Sequence, residues 1–350
     1  MVLQLTQDLI NTTLDQLGKG KMVDLSSDLR EHVAMSHMMQ KNRITYDSGK
    51  AITWNLNENN DGNAKNSGLY ATDNTNVKDG SFTLTIPWRH TNTSCAWDER
   101  EMAMNSGSQQ IVNYIALKKA QSMGGLAELM ESNFWDGASS STDNSTPFGL
   151  IGYWLAYNAS SGLNGGDGNF GTIGGKSCDD HSRLNHYTGN YTNVSATDLI
   201  STLRDAIKLT KFKSPAGNKA MPKYANGERR AMYTTWDVER QIEDLLLANN
   251  DNLQGNLTKF AGKAMIYQVP FIEVPYLTEN KATSDPVIGI DWKQFHTVAL
   301  KGHFGKESPA KVKAGAHNVY ENFIDFSYNF RCYDRRQGLF LVAKSDPLNS

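Results

Sequence analysis

The longest regular pattern in this sequence runs over residues 108–134, where Val112, Ala116, Ala120, Met123, Ala127, Met130 and Phe134 recur every three or four positions. Ile111, Ile115, Leu126 and Leu129 widen the same apolar stripe, and Ser106 or Ser108 stands where a helix cap is expected. At 1.5 Å per residue such a helix spans about 40 Å, so any architecture for the chain has to accommodate it. Gly124-Gly125 lies in its middle and, at about 1 kcal/mol per glycine relative to alanine, should weaken or bend it. An interruption into two helices is the alternative.

Upstream, Ile52, Trp54 and Leu56 alternate over residues 51–57, and Phe82, Leu84, Ile86 and Trp88 alternate over residues 82–88. Each run reads as a strand with one apolar face. The stretch from Glu58 to Gly80 between them is rich in Asn, Gly and Asp and has too few large apolar residues for a core of its own. The two strands therefore read as a long hairpin with a projecting tip. The first 40 residues read as two short helices, one striped by Leu5, Leu9, Ile10, Leu14 and Leu17 and a weaker one by Leu29, Val33 and Met39, separated by Gly18-Lys19-Gly20-Lys21. So narrow an apolar face does not fold alone. An arm docked on the body or on a neighbouring subunit, and a terminal helix packed on its own domain, both remain open.

Beyond the long helix, residues 136–191 are loop-rich except for the apolar run Phe148 to Tyr157. A helix is expected from a Ser195 cap through Ala196, Leu199, Leu203 and Ile207 to about Phe212. A strand over residues 230–234 leads into a helix carrying Trp236, Val238, Ile242, Leu245 and Leu246. Strands over 264–269 and 271–274 follow, punctuated by Pro270 and Pro275. Strand, helix and strand in this order describe a small α+β domain. Near the end Ile324, Phe326, Tyr328, Phe330 and Cys332 alternate, Asp334-Arg335-Arg336-Gln337-Gly338 reads as a turn, and Leu339 to Ala343 as a second strand, together a terminal hairpin returning beside the long helix.

Charge and cysteine content exclude several classes. With 35 basic and 37 acidic residues the chain is not a dedicated nucleic-acid binder. Cys95, Cys178 and Cys332 are odd in number, far apart and in no paired spacing, so no disulfide framework is expected. No basic segment followed by an apolar run opens the chain, so no signal peptide is expected, and no stretch approaches the ~20 apolar residues of a membrane span. The absent leader also counts against a secreted sugar-binding or hydrolytic protein that would use the many Trp and Tyr residues as platforms.

Motifs that could carry chemistry fail on spacing. Gly174-Gly175-Lys176-Ser177 ends like a phosphate-binding loop, but six residues before Lys176 stands Phe170, with Gly171 one place too late. Cys178, Asp179, Asp180, His181 and His186 are all potential metal ligands, yet no second cluster follows at zinc-finger spacing and adjacent Asp179 and Asp180 do not both point at one ion in a regular element. Both runs read as exposed loops, and no catalytic residue, cofactor or metal is expected. Asp98-Glu99-Arg100-Glu101 reads either as interfacial ion pairs or as a solvated approach to the long helix.

The order of arm, long hairpin, long helix, loop-rich α+β domain and closing strands resembles the major capsid proteins of tailed bacteriophages with the Hong Kong 97 fold. Ser106-Gly107-Ser108-Gln109-Gln110-Ile111-Val112, followed by Ala116, Lys118 and Lys119, is similar to the opening of that family's spine helix. Asn133-Phe134-Trp135-Asp136-Gly137 resembles the point where the spine gives way to the axial domain, and Phe330-Arg331-Cys332-Tyr333-Asp334-Arg335-Arg336-Gln337-Gly338-Leu339 resembles the family's basic turn and final strand. The Gly124-Gly125 pair and the Gly-rich run Asn164 to Gly175 depart from the family pattern.

The resemblance implies an α+β fold with an N-terminal arm (residues 1–50), an extended hairpin loop (51–97), a peripheral domain with the spine helix (98–137), an axial domain (138–300) and return strands (301–350). It implies a non-enzymatic subunit that assembles with itself into hexamers and pentamers of an icosahedral head enclosing double-stranded DNA, made in the host cytoplasm. Portal and scaffolding proteins would be its partners, decoration proteins a further class, and contact with packaged DNA nonspecific. An encapsulin-like compartment shell keeps the same fold and is the alternative role. Some members of the family form an isopeptide bond from a lysine in the projecting loop, where Lys65 and Lys78 lie here; a solvated lysine is the commoner use of such a position.

Overall fold

The computed structural model describes residues 32–38, 44–58, 66, 69, 80–104, 108–210, 230–248, 264–267 and 269–348. In chain order it opens with α1 (Val33–Met38), β1 (Ile44–Asp47), the pair β2 (Ala51–Asn57) and β3 (Ser81–Pro87), then β4 (Arg89–Asp98), α2 (Glu99–Met104) and α3 (Ser108–Trp135). A loop-rich stretch carries β5 (Gly162–Gly165) and β6 (His186–Asn190), followed by α4 (Leu199–Leu209), β7 (Arg230–Thr234), α5 (Trp236–Ala248), β8 (Met265–Ile266), β9 (Val269–Glu273) and α6 (Pro275–Asn280). The last described elements are β10 (Val287–Asp291), β11 (Phe295–Glu307), β12 (Lys311–Val312), β13 (Val319–Cys332), the one-turn α7 (Arg335–Gly338) and β14 (Leu339–Ala343).

The long pattern forms a single helix, α3, unbroken through Gly124-Gly125. A methyl group added at either glycine would meet nothing within 4 Å, so the pair costs helix propensity without relieving any crowding. Leu126, Met130 and Phe134 of its stripe are buried, whereas Leu129, placed on the same face by the sequence, is 45% exposed. The reason is angular: Leu129 lies 300° around the helix from Leu126 at about 100° per residue, on the flank of the Leu126–Met130–Phe134 row. The side chains of Val112 and Ala116 lie outside the described residues.

The first sheet runs β1-β11-β13, with β4 along the far edge of β13 and β12 beside its start. Ile324, Phe326, Tyr328, Phe330 and Cys332 are all buried, as their alternation predicts. Phe134 closes on this face, its ring 5.3 Å from that of Phe330 and 5.9 Å from that of Phe295. Thr93 on β4 and Ser122 on α3 exchange a hydroxyl hydrogen bond of 2.7 Å, fastening the strand along the helix. The spine therefore packs on the strands that the sequence assigned to it.

The terminal hairpin does not form. β13 and β14 belong to different sheets: β14 is parallel to β6 and antiparallel to β10, inside the order β5-β6-β14-β10-β7-β9-β8. The six residues between the strands are Tyr333, Asp334 and α7, where the Asp334 carboxylate accepts from the Arg336 and Gln337 N–H groups and starts the helical turn. That turn redirects the chain into the second sheet instead of folding it back. β14 is then central and buried at every residue, as a strand covered on both faces must be.

One face of the second sheet, with Tyr233, Ile288, Ile290, Leu339 and Leu341, joins the core that contains Phe134 and Phe330. The other face, with Met232, Phe271, Phe340 and Val342, is covered by Leu199, Leu203 and Ile207 of α4 and by Val238 and Ile242 of α5. Gly289 is required there, because a Cβ on it would stand 2.1 Å from the Phe340 ring.

Several local expectations change. Helix α4 starts at Leu199, with the Ser195 hydroxyl accepting the Asp198 N–H one turn earlier. Over residues 264–269 the expected strand is replaced by the two-residue β8 and the start of β9, with Tyr267 at φ 49 between them and Pro270 inside β9. Pro275 opens α6, using its fixed φ at the first helical position. Strands β4, β10 and β11 were not anticipated.

Candidate assembly elements

Two elements seen in the described residues have a defined seat on the body of the fold, the β2–β3 pair and α1. Strands β2 and β3 pair from Ala51↔Pro87 to Asn57↔Ser81. The Glu58 N–H then donates to the Gly80 carbonyl at 2.8 Å, closing the neck from which the polar stretch departs. Most of that stretch, including Lys65 and Lys78, lies outside the described residues. The paired base does not project. Ile52, Trp54, Leu84 and Ile86 are buried, and Trp54 packs on Trp154 with ring centroids 6.4 Å apart.

What holds the hairpin base is the loop that the sequence offered as phosphate- and metal-binding. Gly174 and Gly175 take φ 58 and 83 in a tight turn bridged between Ile173 and Lys176. The Gly174 N–H donates to the buried Tyr153 hydroxyl at 2.8 Å, and its carbonyl accepts from the Thr85 N–H of β3 at 3.0 Å. A Cβ on Gly174 would stand 2.9 Å from that of Leu84, so the close approach also needs glycine. This turn has its N–H and carbonyl engaged with protein rather than open to an anion.

The five candidate ligands disperse. His181 turns to the hairpin neck, where its Nδ1 lies 2.6 Å from Glu58 Oε2 and its ring 4.4 Å from that of Phe82. Cys178 is buried beside the guanidinium of Arg335, and burial pushes its thiol up to about 12 despite that cation. His186 is fully buried against Gly165; burial first, then Arg335, holds it well below its ordinary value, so it is a neutral imidazole. Asp179 and Asp180 are exposed. Among the described residues no group of three or more His, Cys, Asp or Glu side chains could hold a metal ion.

Arg335, part of the basic turn before the final strand, is only 3% exposed. Its Nε donates to the Trp154 carbonyl at 2.6 Å, Nη2 to the Gly166 carbonyl at 2.8 Å and Nη1 to the Leu184 carbonyl at 3.4 Å. The fork thus gathers three loop segments at the junction between β13 and β14 using backbone oxygens. Burial lowers its pKa from the usual value. Asn329 acts similarly at the hairpin: its Oδ1 accepts from the Phe148 N–H at 3.1 Å and its Nδ2 donates to the Pro87 carbonyl at 2.9 Å. A polar residue between Tyr328 and Phe330 was the available signal for it.

At the seat of α1, Glu131 of α3 is 2% exposed. Its Oε1 accepts from the Ala34 N–H at 3.1 Å and from Trp135 Nε1 at 2.8 Å, and its Oε2 from the Met35 N–H at 2.8 Å. Val33 and Ala34 of α1 are buried against the same part of the spine. The first expected arm helix, with Leu5 to Leu17, and Leu29 lie outside the described residues. In the acidic segment before the spine, Asp98 Oδ1 accepts from the Arg100 N–H at 2.8 Å, and the Glu99 N–H donates to the Asn318 carbonyl at 2.8 Å, tying the start of α2 to the loop before β13.

No family model and no curated protein matches this chain. Solved structures do. The chain is similar to that of the cyanophage A-1(L) capsid asymmetric unit at 14% identity, covering 95% of this chain and 98% of that chain, with a TM-score of 0.62. The capsid of Myoviridae phage XM1 matches at 11% identity over 95% and 98% of the two chains, TM-score 0.55, and that of the native GTA particle at 8% identity with the same coverages and TM-score. The likeness is one of fold: a mixed α+β fold resembling phage capsid proteins.

Proposed function

We propose that this chain is a major capsid protein, a structural subunit that assembles with itself into hexamers and pentamers of an icosahedral phage head around double-stranded DNA. The observation that carries the reading is the extent of the likeness: 95% of this chain superposes on 98% of a capsid subunit. In this reading residues 1–50 are the arm, 51–97 the hairpin loop, 98–137 and 301–350 the peripheral part, and 138–300 the axial part, to whose sheet β14 crosses. A hairpin anchored at its base and an arm anchored at its root give each copy reach over its neighbours. Assembly takes place in the host cytoplasm. Portal and scaffolding proteins, and in some heads decoration proteins, would meet the same subunit, and its contact with packaged DNA is nonspecific.

Negative-stain microscopy of the expressed chain tests this. Closed shells of uniform diameter are expected; a chain that stays monomeric at all concentrations and salt conditions overturns the reading. Shells recovered from cells with one cargo protein instead of nucleic acid would point to a storage compartment.

A further inference from the structure

We infer that Glu131 is the positioning residue that seats α1, the root of the N-terminal arm, on the spine; this rests on the shell reading above. A buried carboxylate is costly unless its oxygens are fully used. Glu131 is 2% exposed and receives three N–H donors, two of them from the first turn of α1. Those two, on Ala34 and Met35, are groups that no helix satisfies internally. The spine therefore supplies the cap that α1 lacks, and the positive end of that helix turn favours a carboxylate over an amide.

The geometry couples direction to the spine. Both carboxylate oxygens are engaged by successive N–H groups of α1, so the turn cannot swivel about a single bond. The Trp135 indole, fully buried, holds Oε1 from the other side and fixes the carboxylate's own rotamer. Ser36 then closes the turn, its N–H on the His32 carbonyl at 3.0 Å and its hydroxyl on the Val33 carbonyl at 2.9 Å.

A Glu131→Gln subunit tests the inference, since the amide keeps one acceptor oxygen and turns an NH₂ toward the donors. In the unassembled subunit, tryptic cleavage after Arg30 should accelerate about tenfold, the effect of losing one charge-assisted hydrogen bond, while cleavage within residues 269–348 keeps its wild-type rate. Shell yield should fall with it, and Glu131→Asp should restore part of both. Ala34→Pro removes one donor from the arm's side at a first-turn position that tolerates proline, leaving Glu131 and Trp135 intact, and decides the matter if Glu131→Gln does not fold. Wild-type cleavage rates in folded variants, or wild-type shell yield from them, would overturn the inference. Because the cleavage assay reads single subunits, failure of the wild-type chain to form shells would count against the capsid reading and not against this clamp.

Discussion

At the scale of single residues the core is decided by a few aromatic contacts and by polar groups such as Glu131, Asn329 and Arg335 whose hydrogen bonds are made inside. Phe134 touches Phe330, Phe295, Trp292 and Trp135 and is fully buried. Phe134→Ala or Phe330→Ala should each destabilise the unassembled subunit by about 3–5 kcal/mol, measured by urea unfolding. His186 sets a pH dependence. Burial and Arg335 hold its folded pKa well below 6.5, so the unfolded chain takes up a proton that the folded one refuses. Its contribution is complete above pH 6.5 and is lost as pH falls through that value toward the folded pKa, at up to about 1.4 kcal/mol per pH unit. His296, also held low by burial, acts with the same sign. Unfolding at pH 7.5 and pH 5.5 should show this loss in the wild type and a smaller one in His186→Gln.

The elements divide by how local their determinants are. Alternation along β2, β3 and β13, and the stripe of α3, were legible because each is a long run whose faces meet different surroundings. β10 has no alternation to read, because Val287-Ile288-Gly289-Ile290-Asp291 is covered on both faces, and β11 has none because its buried start, residues 295–299, runs on into an exposed polar half. The partner of β14 is hidden for another reason: a six-residue connection is compatible with a hairpin, and the buried Arg335 fork, a long-range contact, holds the crossover. Of the candidate chemical motifs, nothing local shows that Gly174 and His181 serve the hairpin. Gly124→Ala and Gly125→Ala should each raise stability by about 0.5–1 kcal/mol, since the helix is continuous and the space is open; thermal melts decide. Joining Glu58 to Gly80 by deleting residues 59–79 spans a gap already closed by a 2.8 Å hydrogen bond. The deleted subunit should keep its cooperative melt and fail to form shells, whereas loss of the melt would place the loop in the core.

Over the whole molecule the two larger sheets share one core. Trp292 Nε1 donates to the Tyr233 hydroxyl at 2.9 Å, and Phe295 of the first sheet and Ile290 and Leu341 of the second lie in the same buried cluster. Unfolding followed by tryptophan fluorescence and by far-ultraviolet circular dichroism should therefore give superimposable urea curves; an earlier fluorescence change would mean that the sheets unfold separately. The central place of β14 also bears on when a subunit becomes ready. Until residues 339–343 emerge from the ribosome, the facing edges of β6 and β10 have no strand between them. At translation rates of about 5–20 residues per second, synthesis of the span from β10 to β14 leaves those edges open for seconds. A ribosome that stalls in that interval yields a chain whose second sheet is still in two halves, so an unfinished copy lacks the surface that the completed sheet presents.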